Sequence, residues 1–225
     1  MHYLTPNPGK SALLTIDVQR DFSLPGAPAE VAGTLDAVPN MRRLVRAFRA
    51  RGRPVFHIVR LYLPDGSNTD LCRRSLLEDG ASIVLPGSEG AELVPELVPA
   101  GGPPLDARTL LGGDPQLLSS NEWALYKPRW GAFYGTRLEG ILGSAAVDTV
   151  VVCGCNFPNC PRATIYEASE RDYRIVVAAD AISGVYKRGT EELTDIGVTV
   201  LTTDECLAWI AQLPEYSPHV PGGSA

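Results

Sequence analysis

Short, almost purely apolar runs recur between helical stretches, and this alternation constrains the chain more than any other feature. Residues 11–17 (SALLTID), 54–61 (PVFHIVRL), 149–153 (TVVVC), 174–179 (RIVVAA) and 198–202 (VTVLT) are the runs. Segments of about 5–8 such residues are what parallel strands need when both faces of their sheet are covered. Between the first two, residues 35–51 carry Val38, Met41, Leu44, Val45 and Phe48 at helical spacing, and Gly52 follows as a stop. Residues 161–172, 187–196 and 204–213 are shorter helix candidates. The alternation predicts an α/β fold: a doubly wound, mostly parallel sheet with helices on both faces. Ligands bind such sheets beyond the carboxyl ends of the strands, so functional residues are expected just after each run.

Residues 64–122 break the pattern. They hold 8 Gly and 7 Pro, with weak periodicity apart from residues 71–77. Leu, Ile and Val persist through it, which speaks for an ordered excursion packed on the sheet, over the site as a lid or rim. No internal repeat is visible, and residues 1–225 are read as one domain with an irregular tail at 214–225.

Composition removes whole classes of function. A net charge of -6 argues against nucleic acid and anionic membrane as partners. The first 20 residues lack the basic-then-apolar pattern of a signal peptide, no apolar run reaches membrane length, and the cysteine count of 5 is odd. A cytoplasmic protein with reduced thiols is the expectation. Of the 3 histidines, His2 and His219 lie in the terminal segments, leaving His57 inside the body of the chain. That count speaks against a zinc site of several core histidines and against H-E-x-x-H. No G-x-S-x-G, G-x-x-x-x-G-K-[ST] or G-x-G-x-x-G occurs either. His57 itself, amid apolar neighbours, reads as a hydrogen-bonded core histidine.

Three reactive groups fall where strands end. Asp17 closes the first run, in IDVQRDF. Lys127 follows the apolar WALY, in YKPRWGAFYGT. Cys160 lies in VVVCGCNFPNCPRATIYEA, after a strand and a loop, immediately before a helix opening at Pro161. Proline suits a first helical turn because its missing N–H is unneeded there. At a helix N-terminus the macrodipole and free N–H groups favour a thiolate. A thiol nucleophile needs a base for its proton and a cation near its charge, and Asp17 and Lys127 supply one of each. Cys153 and Cys155 read as packing residues, since their spacing is not that of a metal knuckle. Trp130, Phe133 and Tyr134 follow Lys127 closely enough for some to face a pocket. Arg73 and Arg74 read as a solvated helix face, with the rival reading that one reaches over the site to hold a polar or carboxylate substrate.

These segments resemble the isochorismatase-like cysteine hydrolases, which include nicotinamidases and N-carbamoylsarcosine amidase. The resemblance runs from Leu13 to about Leu201 and rests on LLTIDVQRDF, KPRWGAFYGT, VVVCGCNFPNC followed by AT, and Asp180 on the next strand. It implies a six-stranded parallel sheet and a catalytic Asp17–Lys127–Cys160 triad. It also implies a cis peptide at Cys155–Asn156, with the Asn156 and Cys160 amides forming an oxyanion hole. Phe22, Trp130, Phe133 and Tyr166 would then line a small, partly aromatic substrate pocket. A homo-oligomer, dimer or tetramer, is implied as well.

The chain departs from the family pattern in two places. Phe157–Pro158 stands where family members carry Thr-Asn, and the Phe-Pro-Asn-Cys-Pro variant is similar to a bacterial subgroup that includes streptothricin hydrolase. Metal-binding nicotinamidases place histidines after the second strand, where Arg60 and Tyr62 stand here, so neither metal nor another cofactor is expected. Hydrolysis of a small-molecule amide, ureide or lactam through a thioester is the leading expectation. A cysteine-independent hydrolase of a vinyl ether, with Asp17 as acid, and a non-catalytic ligand-binding protein on the same scaffold are the alternatives.

Overall fold

The computed structural model describes residues 3–216, so His2, His219 and most of the expected tail lie outside the described residues. Among the described residues, seven strands form one sheet: β1 (Ser11–Ile16), β2 (Val55–Val59), β3 (Gln116–Ser119), β4 (Glu122–Tyr126), β5 (Thr149–Gly154), β6 (Arg174–Ile182) and β7 (Thr199–Leu201). Their order is β3-β4-β2-β1-β5-β6-β7. Every pairing is parallel except β3 with β4. The sheet therefore has one strand more than the six the resemblance implies. β3 escaped sequence reasoning because only alternate residues of its four are buried, as befits an antiparallel edge strand.

Among the described residues, eight α-helices connect and flank the strands: α1 (Arg20–Ser23), α2 (Thr34–Ala50), α3 (Leu71–Glu78), α4 (Ala107–Leu111), α5 (Leu138–Ser144), α6 (Cys160–Ser169), α7 (Lys187–Asp195) and α8 (Thr203–Ile210). The chain steps from β1 to β2 in one direction across the sheet, and from β4 to β5, β6 and β7 in the other. Right-handed crossovers accordingly put α2 on one face and α5, α6 and α7 on the opposite one. α2 packs with α8 there, while α6 packs on β5 and β6. The reversal of direction lies between β1 and β5, which makes their carboxyl ends the place to look for a ligand site.

Strands β1, β2 and β5 are buried along their whole length, which accounts for the unbroken apolar runs that revealed them. Met41, Leu44, Val45 and Phe48 of α2 lie at one face of that helix and join the main core with Leu13, Phe56, Val151 and Val177. A second cluster gathers Val59 of β2 and Ala124 of β4 with Ile83, Val84, Leu93, Leu105, Leu110 and Leu118 of the Gly/Pro-rich segment. Its glycines and prolines set turns, and its scattered aliphatic residues supply this separate core. Among the described residues no helix is long and apolar enough to cross a membrane.

Candidate active site

Asp17 is the first residue beyond β1. It takes the left-handed conformation, φ 53°, which an aspartate tolerates better than most side chains. Its amide is held by the Ile58 carbonyl at 2.9 Å, so the reversal is anchored to the neighbouring strand. Lys127 follows β4, and its amide bonds the Val59 carbonyl at 3.0 Å. The Lys127 Nζ lies 2.8 Å from Asp17 Oδ2, and both side chains are buried. An ammonium with no access to water keeps its charge only beside such a partner. Lys127 Nζ also donates to the Arg129 carbonyl at 3.3 Å.

Cys160 reaches the same place from β5. The chain leaves that strand at Gly154, φ 128°, where a Cβ would stand 2.3 Å from the Ile16 carbonyl oxygen. Only glycine lets the two backbones approach so closely. The Cys155 amide then bonds the Ile16 carbonyl at 2.8 Å, and the Phe157 amide bonds the Ser183 carbonyl at 2.8 Å. No cis peptide occurs among the described residues, so the cis Cys155–Asn156 bond implied by the resemblance is not found. The reversal at Gly154 and those two amide anchors shape the loop instead. Cys160 stands at the first position of α6 with Pro161 behind it. Neither the Asn156 nor the Cys160 amide has an acceptor among the described residues, and both residues line the central cavity.

Burial is the main force on the Cys160 thiol, and with the Asp17 charge and hydrogen bonding to that carboxylate it pushes the pKa up to about 12. The Lys127 and Arg60 cations pull the other way without prevailing. The resting group is thus a neutral thiol rather than the thiolate expected from the helix terminus alone. Asp17 is correspondingly divided: Oδ2 is occupied by Lys127, whereas buried Oδ1 has no well-formed hydrogen bond among the described residues. A thiol proton beside a carboxylate oxygen with spare acceptor capacity can be transferred when the sulfur attacks an electrophile.

The cavity holds about 340 Å³. Phe22, Trp130 and Val31 form apolar walls, and Asp17, Asn156, Asn159 and Cys160 form the reactive end. Phe133 and Tyr166 do not line it. Phe133 is drawn into the core against Tyr173 (5.6 Å between rings), with the Arg171 guanidinium over its face, because its amide is tied to Glu167 of α6 at 2.8 Å. Tyr166 lies six residues beyond Cys160, about 120° around the helix, and rests under Arg162 on the outer surface.

Sequence reasoning missed the opposite wall. Arg60 is buried there in an ion pair with Asp70, and donates to Tyr62 Oη at 3.1 Å. Gln19 fixes the Arg60 backbone, accepting its N–H at 2.7 Å and donating to its carbonyl at 2.8 Å. Burial works against the Arg60 charge, but Tyr62, Asp17 and Asp70 raise its pKa above the ordinary value. Burial and Asp70 push the Tyr62 hydroxyl up to about 12 despite Arg60. Asp70 was hidden because an aspartate in a Gly/Pro-rich stretch reads as a turn residue. Where a metal-binding relative would carry histidines, this cavity carries a guanidinium already paired to its carboxylate, which does not suit a cation. Among the described residues no three His, Cys, Asp or Glu side chains lie close enough together to hold a metal ion. His57 has both ring nitrogens engaged, with Thr15 Oγ1 at 2.8 Å and Glu122 Oε1 at 2.7 Å.

Residues 11–205 match the isochorismatase domain. A probable inactive nicotinamidase of Arabidopsis thaliana is 30% identical over 201 residues, covering 87% of this chain and 93% of that protein. The N-carbamoylsarcosine amidase of an Arthrobacter species is 26% identical over 216 residues, covering 94% of this chain and 75% of the other. Among solved structures, an isochorismatase family protein of Desulfovibrio vulgaris superposes with a TM-score of 0.75 at 34% identity, over 90% of this chain and 98% of its own.

Proposed function

The chain belongs to the isochorismatase family, and on that premise we propose that it is a cysteine-dependent hydrolase of a small-molecule amide, ureide or lactam. One observation carries the reading: the Asp17 carboxylate is locked by Lys127 through one oxygen and keeps the other without a well-formed hydrogen bond in the cavity that Cys160 enters. Relatives include an amidase that acts on N-carbamoylsarcosine, a ureide, which agrees with attack on a carbonyl flanked by nitrogen.

Because the resting thiol holds its proton tightly, the proton passes to Asp17 as the sulfur bonds to the substrate carbonyl carbon. The carbonyl oxygen becomes an oxyanion and is met by the unoccupied Asn156 and Cys160 amides. On collapse the C–N bond breaks, and Asp17 returns the proton to the leaving nitrogen. The acyl group remains on Cys160 as a thioester. Asp17, again a carboxylate, takes a proton from water, which attacks the thioester; the acid departs and the sulfur recovers its hydrogen. Lys127, with its Nζ 2.8 Å from Oδ2, keeps the Asp17 carboxyl oriented through both proton transfers. Phe22 and Trp130 restrict the cavity to small substrates.

The test is a panel of carboxamides, ureides and cyclic amides, scored by ammonia or amine release with the wild type and Cys160→Ala. Release by the wild type alone supports the reading. Equal release by both proteins contradicts it and favours chemistry without the cysteine.

A further inference from the structure

Within the proposed hydrolase site, one cation has no ion-pair partner among the described residues. Lys127 is paired with Asp17 and Arg60 with Asp70, yet the Arg73 guanidinium, which lines the same cavity, has no ion pair or hydrogen bond among the described residues. It sits instead 5.6 Å over the face of the Phe22 ring, a cation–π contact. The charged side chains around the cavity are thus Arg60, Arg73 and Lys127 against Asp17 and Asp70, an excess of one positive charge. A guanidinium fixed on an aromatic shelf, with its donors free, is suited to receive a planar oxyanion.

The local sequence explains how it is held there. Asp70 occupies the N-cap position of α3 but makes no capping bond, because its carboxylate turns inward to Arg60 and Tyr62. Arg73 lies three residues later, with its amide on the Asp70 carbonyl at 2.9 Å. Residues three apart share a helix face, so the contact that docks α3 also aims Arg73 into the cavity. Its neighbour Arg74 is exposed and lies outside the lining.

We propose that Arg73 is the residue that selects substrate, and that the substrate is a small amide or ureide bearing one carboxylate, which Arg73 holds while the C–N bond faces Cys160. The inference rests on the hydrolase reading only for which bond is broken, and its test can be made without turnover.

Iodoacetate and iodoacetamide alkylate thiols alike and differ in that one carries a carboxylate and the other a neutral amide. Labelling of Cys160 by each, followed by peptide mass spectrometry, yields a rate ratio from which any change in thiol reactivity cancels. The Arg73→Gln variant is expected to lower the iodoacetate-to-iodoacetamide ratio by about tenfold, the scale of one lost charge-assisted bond, and Arg73→Lys to restore part of it. An unchanged ratio in Arg73→Gln overturns the anion subsite. If neither reagent labels Cys160, the hydrolase reading is contradicted, and calorimetry with succinamate and succinamide decides the subsite by itself. Tighter binding of succinamate, lost in Arg73→Gln, supports the subsite; equal binding overturns it. Arg73-dependent preference without hydrolysis of any amide leaves the subsite standing and removes the enzyme.

Discussion

Two buried polar clusters lie at opposite ends of β4, and they are built to different rules. At its start, Glu122 is saturated: Arg49 bonds both of its oxygens (2.7 and 2.6 Å), His57 donates at 2.7 Å, and the other nitrogen of that ring meets Thr15. Just past its end, Lys127 holds one oxygen of Asp17 and leaves the second without a well-formed bond, beside two backbone amides that have no acceptor. The first cluster spans α2, β1, β2 and β4 and has no capacity left, so it can only hold the sheet together. The second retains acceptor and donor capacity inside a cavity, which costs stability and makes chemistry available.

The contrast is sharpest in variants that separate activity from stability. Cys160→Ala is expected to lower kcat/KM by about 10⁴-fold or more with little change in melting temperature, since the thiol supports no other element. Asp17→Asn, unable to accept the proton, should cost about 10²–10⁴-fold in a protein that still folds, with a lower melting temperature because the buried Lys127 ammonium loses its counter-charge. Steady-state kinetics with thermal melts of the same preparations check both; an active Cys160→Ala would erase the distinction between the clusters. Glu122→Ala should behave in the opposite way, losing about 3–5 kcal/mol in denaturant unfolding by stranding Arg49 and His57, with kcat nearly unchanged in the folded protein.

Acid should reveal the same cluster. Burial opposes the Glu122 charge, but Arg49 and His57 outweigh it and bring the pKa from 4.5 to about 2. A folded value below the unfolded one means that the contribution is complete above pH 4.5 and fades as pH falls toward 2. On the order of 3 kcal/mol should disappear across that window, and Glu122→Gln should flatten the loss there. The smallest effect belongs to Tyr166: Tyr166→Ala should alter kcat/KM by less than about twofold, as for a surface position away from the cavity.

The sheet was legible because strands covered on both faces must be apolar throughout, and α2 because five core residues keep one helical face. Asp17, Lys127 and Cys160 could be singled out as polar interruptions where such runs end, the region where parallel α/β sheets bind ligands. What escaped lies mostly in the segment between β2 and β4. There β3 is too short and half-exposed to leave a pattern, and Asp70 owes its role to a partner ten residues away rather than to its neighbours. Phe133 and Tyr166 failed as pocket residues for a related reason: proximity in sequence to Lys127 and Cys160 does not fix direction. An amide bonded to Glu167 turns one inward, and helical rotation carries the other away.

The central claim, that the Cys160 sulfur carries the acyl group, is tested most directly by intact-mass spectrometry of acid-quenched turnover. With an amide identified from the panel, the wild type should gain the mass of the substrate less its amine, on the peptide containing Cys160. Cys160→Ala should gain nothing. Sustained amide hydrolysis by Cys160→Ala, with no adduct on the wild-type enzyme under the same quench, would contradict the account.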